Sequence, residues 1–246
     1  RGKAVRTFHT ALHLMERYPD YHFVQSQPQL YAYTAKEFPA LFRRIQEKAQ
    51  AGQWEPLGGM WVEADCNVPS GESLARQFLH GQRYFKRHFG AISEILWLPD
   101  TFGFPHTLPQ IAKQAGIKYF FTTKLRWSET NEIPHDTFIW RGLDGSDLIA
   151  HFTPTPMQFW LRMPTYNADL NAQSAIETWE RMHDKQTMNR AIMAYGWGDG
   201  GGGPTPEMLD NLGVLADFPA VPQLKPTSAR AFFQHIEREH GDDLPG

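Results

Sequence analysis

Short apolar runs that alternate with amphipathic stretches constrain this chain more than any other feature. Runs at residues 22–25, 54–57, 119–122, 138–141, 148–152, 191–195 and 221–224, and one carrying Ile92, Ile95, Leu96 and Leu98, have the length and composition of buried strands. Between them lie stretches of helical period at 6–17, 30–33, 38–51, 72–89 and 172–184, a helix opening at Thr205-Pro206-Glu207, and a last one at 228–239. Thr107-Leu108-Pro109-Gln110 reads as a capping box that opens a helix stopped by Gly116. Strand–helix alternation predicts a parallel sheet covered by helices, an α/β fold. The number of units fits a closed β/α barrel better than an open sheet, although periodicity alone does not separate the two. The chain starts directly in helix-like sequence, as if a strand before it belonged to a larger domain.

Composition excludes several classes of function. A net charge of −3 with no Lys/Arg block argues against a nucleic-acid partner. No apolar run approaches the roughly 20 residues of a membrane helix, and Arg1-Gly2-Lys3 is no signal peptide. Cys66 stands alone, so neither an intrachain disulfide nor a cysteine-based zinc site can form, and a reducing compartment is expected. Eight Trp and eight Tyr, several beside candidate loops, suit a cleft that holds sugars on flat rings, although packing explains most aromatics.

Three strand ends carry candidate chemistry. Leu96-Trp97-Leu98-Pro99-Asp100-Thr101-Phe102-Gly103 sets Asp100 just past a strand, where α/β folds present reacting groups. Gly58-Gly59-Met60-Trp61-Val62-Glu63-Ala64-Asp65-Cys66-Asn67 puts two carboxylates and a Trp after another strand. Its glycines permit close approach to a ligand or to a second loop. Tyr195-Gly196-Trp197-Gly198-Asp199-Gly200-Gly201-Gly202-Gly203-Pro204-Thr205 places Asp199 between a strand and a helix. Its Gly196-x-Gly198-x-x-Gly201 string, with Asp217 downstream, formally matches a dinucleotide fingerprint. The late position and an anionic Asp inside the loop argue against that reading. Asp100 and Asp199 instead suit a retaining glycosidase, which needs two carboxyl groups about 5–5.5 Å apart. His9 and His13 share a helix face without a third ligand and read as ordinary helix histidines. His106 could serve the Asp100 loop as a donor or cap, and His151 at a strand end is ambiguous.

The glycine-rich, Gly58–Asn67 and Trp97–Gly103 segments, together with Ser26-Gln27-Pro28-Gln29-Leu30-Tyr31, resemble glycoside hydrolase family 38, the retaining, zinc-dependent α-mannosidases. The variants are most similar to the bacterial and neutral cytosolic branch. The resemblance implies that residues 1–246 are the central part of a seven-stranded β/α catalytic barrel, incomplete here, with the first strand and C-terminal domains absent. It makes Asp100 both nucleophile and zinc ligand, Asp199 the acid/base, and Trp61 and Asp65 part of the sugar site, beside Trp197. Lys124 falls near a position that is Arg in the other branch. The implied cofactor is Zn²⁺, whose remaining ligands (a His-x-Asp pair and a late His) lie outside this chain, so the isolated chain should be metal-poor and weak or inactive. The implied partner is an α-mannoside or oligosaccharide, with no nucleic acid and no membrane, in a cytoplasmic parent for which a homo-oligomer is compatible. A metal-dependent carbohydrate deacetylase on a related barrel and a non-catalytic sugar-binding fragment are the alternatives.

Overall fold

The computed structural model describes residues 2–157 and 163–246. The first helix, α1 (Gly2–Arg17), buries Phe8, Ala11, Leu12, Leu14 and Met15 on one stripe. It is followed by β1 (Phe23–Gln25), α2 (Pro28–Glu37), α3 (Pro39–Gln50) and β2 (Trp54–Pro56). Proline opens both α2 and α3, at the helix position where a missing amide costs nothing. The two strands pair in parallel, and the helices close over them around Tyr31 and Trp54, both fully buried. Their polar atoms are satisfied in series: Trp54 Nε1–H donates to Tyr31 Oη at 2.7 Å, and Tyr31 Oη–H donates to the Gln25 carbonyl at 3.0 Å.

The long helix α4 (Gly71–Phe89) is capped by Ser70, whose hydroxyl accepts the Ser73 amide, and ends at Gly90 in the left-handed conformation. Then come β3 (Ile95–Trp97), α5 (Leu108–Gln114), β4 (Tyr119–Thr122), β5 (Thr137–Arg141) and β6 (Asp147–Phe152). They form a four-stranded sheet in the order β3-β4-β6-β5. Both faces of its parallel part are buried, which is why these strands read as continuous apolar runs. Leu96, Phe120 and Ala150 face α4 and α5. Ile95, Trp97, Phe121 and Ile149 face α8 (Ala229–His240) through Phe232 and Phe233. The Gly58 amide donates to the Ile95 carbonyl at 3.0 Å and so joins the edge of the first sheet to the second. No helix among the described residues is long and apolar enough to cross a membrane.

The structure corrects the predicted architecture in several places. The described residues form six strands in two sheets, and the larger sheet is mixed rather than wholly parallel. β5 and β6 are an antiparallel hairpin, because the connection from Arg141 to Asp147 is too short for a crossover helix. Gly145 at φ 83° and the Asp144 carboxylate, which accepts the Ser146 amide, build that turn. Residues 191–195 make only an isolated bridge between Tyr195 and Ala168. At Ile192 the partners are side chains instead of a strand, since His151 Nε2 accepts the Ile192 amide and Thr153 Oγ1 donates to the Ile192 carbonyl. Residues 221–224 form no strand, and Pro222 has no amide with which to join one. Thr107 does precede α5, but its backbone already has helical angles and its side chain makes no cap bond. Gly116, at φ 87°, does end α5 as expected.

The helix α6 (Ala172–Glu180) stops short of Asp184, whose carboxylate instead accepts the amides of Asp136 and Thr137. Asp136 returns the exchange by accepting the amides of His183 and Asp184. Each of these buried carboxylates therefore has partners that offset its desolvation. The remaining helix, α7 (Pro206–Leu215), is capped by Thr205, whose hydroxyl accepts the Met208 amide.

The glycine pair after β2 approaches another element of the protein. A Cβ on Gly81 of α4 would lie 2.1 Å from the Gly59 carbonyl oxygen, backbone that has nowhere to go. Gly81→Ala is expected to lower stability by about 1–3 kcal/mol in urea unfolding, despite alanine's higher helix propensity. An unchanged midpoint would show that α4 and this loop are not so tightly packed.

Candidate active site

Asp100 follows β3, and its loop is held by the end of β4. Thr122 Oγ1 donates to the Leu98 carbonyl at 2.8 Å and Thr123 Oγ1 to the Pro99 carbonyl at 2.5 Å. Lys124, the next residue, reaches Asp100 Oδ1 with its ammonium at 3.0 Å. The Lys124 side chain is only 9% exposed, whereas that of Asp100 is 46% exposed, so the cation is fixed while the carboxylate stays open. Trp127 lies under the ammonium, with its ring centroid 3.4 Å from Nζ, and Phe102 is 5.1 Å away.

A cavity of about 640 Å³ opens at these strand ends. Asp100, Asp199, Glu63, Tyr166, Trp97 and Trp197 all line it. Two sequence-predicted carboxylates from loops a hundred residues apart are therefore brought to one cavity, with Trp197 nearly half exposed at its wall. Trp61 and Asp65 are not among its lining residues. The Trp61 indole donates to Gln29 Oε1 at 3.0 Å and its ring turns toward Tyr84 of α4. Asp65 is exposed and accepts the amides of Asn67 and Val68, a turn-forming role.

Asp199 sits in a loop closed by reciprocal bonds between the backbones of Trp197 and Gly203. It has φ 53°, a left-handed conformation unusual for a residue with a side chain. A Cβ on Gly201 would lie 2.7 Å from Trp197 Cβ, so this glycine is required by closure of the loop on itself. The loop returns on itself before α7 begins, unlike the direct strand-to-helix turn of a dinucleotide site. Asp217 does not line the cavity and makes its contact with Gln223.

Sequence reasoning noted Glu63 without choosing it. It follows β2, lines the cavity, and accepts a short hydrogen bond from Ser26 Oγ. Burial pushes its carboxyl up to about 7, and the charge of Asp100 adds to the rise, against the opposing bonds from Ser26 and Gln27. Its place in the loop after β2 was the available signal. Tyr166 was missed altogether. Its phenol donates to Asp199 Oδ1 at 3.4 Å and is raised by burial and by the charges of Asp100, Asp199 and Glu63. No local pattern marks it, because it lies outside any regular element. Gln27, also at the cavity, has φ 61°, so two residues in left-handed strain border the same space.

The histidines sit elsewhere. His9 and His13 are exposed on α1, and His13 pairs with Glu16 at 3.8 Å. His106 is exposed and does not line the cavity. His151 is buried and neutral, its pKa lowered to about 3 by burial. Nε2 accepts the Ile192 amide, so Nδ1 carries the proton and donates to Thr137 Oγ1 at 2.8 Å. Cys66 is buried and free, and burial pushes its thiol up to about 12.

Residues 1–246 match the N-terminal domain of glycosyl hydrolases family 38 from end to end. The chain belongs to this family. It is 42% identical to "Alpha-mannosidase G" of Dictyostelium discoideum over 96% of its length, and 44% identical to "Alpha-mannosidase" of Saccharomyces cerevisiae over 86%. It spans only about a fifth of those relatives, 21% and 19% respectively. Its fold is similar to that of an alpha-mannosidase from Enterococcus faecalis V583, with TM-score 0.74, 17% identity, and 99% of this chain against 27% of that one. A putative polysaccharide deacetylase from Mycobacterium smegmatis shares the fold more loosely, with TM-score 0.57, 13% identity, and 99% of this chain against 80% of that one.

A carboxyl protonated near neutrality in the fold but ionised in the unfolded chain makes folding weaker as pH rises. Between the ordinary value of 4.5 and about 7, Glu63 should therefore cost stability progressively. Denaturant unfolding should show Glu63→Gln flattening this decline. An identical pH profile in wild type and variant would mean that Glu63 is not the buried proton holder.

Proposed function

We propose that the protein containing this chain hydrolyses terminal α-D-mannosides with retention of configuration, through a covalent glycosyl-enzyme on Asp100. The observation that carries this reading is the convergence of Asp100 and Asp199 on one cavity in a family 38 chain. The 42–44% identical relatives named as alpha-mannosidases support the choice of substrate. In this reading residues 1–246 are the central part of a seven-stranded catalytic barrel that further chain would complete. A cytoplasmic location belongs to the same proposal, supported by the single, free and buried Cys66.

The Asp100 carboxylate attacks the anomeric carbon and forms an ester as the bond to the leaving oxygen breaks. Asp199 gives that oxygen its proton, then takes one from the water that opens the ester and releases mannose. Lys124 holds the nucleophile's orientation from one side and leaves its second oxygen open. Tyr166 donates to Asp199 and can orient it. Trp197 offers its exposed ring to the sugar. Glu63 is a second candidate for the acid, because it lines the same cavity and burial pushes its carboxyl up to about 7.

In the intact protein, Asp100→Asn should abolish turnover. If Asp199 is the acid, Asp199→Asn should cut kcat/KM about 10²–10⁴-fold for an alkyl mannoside and far less for a dinitrophenyl mannoside, whose leaving group needs no proton. Equal losses on both substrates would remove Asp199 from the role. The same selective loss in Glu63→Gln would assign it to Glu63. Release of acetate from an N-acetyl sugar, without mannose from a mannoside, would favour the deacetylase reading. Undiminished sugar binding by Asp100→Asn, in a protein that turns nothing over, would favour the non-catalytic one.

Zinc dependence is proposed for the longer protein on the family resemblance. The described residues do not fit a zinc centre by themselves: no three or more His, Cys, Asp or Glu lie close enough to hold one metal ion, and Asp100 Oδ1 is taken by the Lys124 ammonium. Zinc needs about three or four placed ligands to offset its desolvation. The 246-residue chain alone is therefore expected to hold no stoichiometric zinc at about micromolar free metal. Metal analysis finding one tightly bound zinc per chain would show that its own residues complete a site.

A further inference from the structure

A second cavity, of about 460 Å³, lies on the outer face of α4 and shares no lining residue with the first. It is lined by Trp61, His80, Arg83, Tyr84, Arg87 and His88. Every side chain in that set is aromatic or basic, and none is a carboxylate, on a chain whose net charge is −3. The five α4 residues fall at helical spacings of three and four, so one face of the helix carries them all. Arg83 and Arg87 are exposed, one turn apart, and neither has a carboxylate partner among the described residues. Elsewhere on the same helix Arg76 is paired with Glu72, so the bare pair is not simply the habit of this surface.

The floor of the cavity is fixed. The Trp61 amide donates to the Gln77 carbonyl at 2.9 Å and its indole to Gln29 at 3.0 Å, which locks the ring from both ends. The Trp61 and Tyr84 rings meet edge to face at 5.7 Å and 81°, while His88 lies 4.2 Å from the Tyr84 ring. The Tyr84 hydroxyl is buried and has no hydrogen-bond partner among the described residues. Burial and the charge of Arg87 hold His88 below its ordinary value.

We propose that this cavity binds a sugar phosphate, its phosphate gripped by Arg83 and Arg87 and its ring packed into the corner of Trp61 and Tyr84. Two guanidinium forks one helical turn apart match a tetrahedral dianion, since each can donate two parallel bonds to a different pair of oxygens. A single carboxylate would occupy one fork and leave the other bare. Perpendicular rings form a corner for a puckered sugar body, whereas a flat base stacks best on an open face. The site does not depend on the hydrolytic reading of the first cavity.

The test is isothermal calorimetry on the wild-type chain with glucose 6-phosphate, inorganic phosphate, glucose and AMP, repeated at higher salt. Saturable binding of glucose 6-phosphate is expected, about tenfold tighter than inorganic phosphate, weakened by salt, and with no heat from glucose. The exposed double variant Arg83→Gln/Arg87→Gln should lose glucose 6-phosphate binding by tenfold or more while its thermal unfolding stays unchanged. Trp61→Phe should bring the ester down toward inorganic phosphate. Absence of saturable binding, affinity unchanged in the double variant, or AMP bound as tightly as glucose 6-phosphate would each overturn the proposal.

Discussion

The parallel pairing of β3 with β4 is the constraint on which the candidate active site depends. Ile95, Leu96 and Trp97 lie opposite Tyr119, Phe120 and Phe121, and all six side chains are buried on one face or the other. Trp97 and Phe121 stack at 3.9 Å and lock the register from the inner face. A slip of one residue would exchange the two faces, moving aromatic rings into space shaped for their neighbours. The same register sets Thr122 and Thr123 beside the Leu98 and Pro99 carbonyls, and Lys124 beside Asp100. One packing decision thus fixes both the open carboxylate and its cation.

Around that pair the cavity gathers three carboxyls, with Lys3 also at its wall. Glu63, Asp100 and Asp199 all act on the Tyr166 phenol, while Lys124 is bonded to Asp100 alone. Such crowding divides the carboxyls by environment. Glu63, the buried one, holds its proton to about 7, whereas Asp100 and Asp199 lie open. A buried carboxyl and open ones facing one space is an arrangement that acid–base chemistry can use. Left-handed backbone at Gln27 and Asp199 is retained by the surrounding bonds, a cost borne at the rim of this cavity.

The two cavities show how one loop can serve separate surfaces. The segment after β2 sends Glu63 inward to Ser26 and turns Trp61 outward to α4. That division rests on Gly59 and Gly81, which let loop backbone and helix backbone meet without intervening side chains. The Trp read as a sugar platform therefore faces two arginines on the outside of the fold.

Much of this was legible in the residues themselves. Apolar runs with both faces buried marked β3, β4 and β6 closely, and Gly116 marked the end of α5. The position of Asp100 followed from its place after such a run, because local hydrophobicity and turn chemistry are properties of neighbouring residues. The antiparallel hairpin is written in Asp144-Gly145, a turn signal that strand–helix alternation does not carry. What no stretch of sequence contains is the field that distant groups exert on one another. That Glu63 holds a proton, that Tyr166 lies among three carboxylates, and that Trp61 turns away from the first cavity follow from contacts between loops far apart in the chain. Burial and Coulomb interaction depend on distance in space, so only the tertiary structure could decide them.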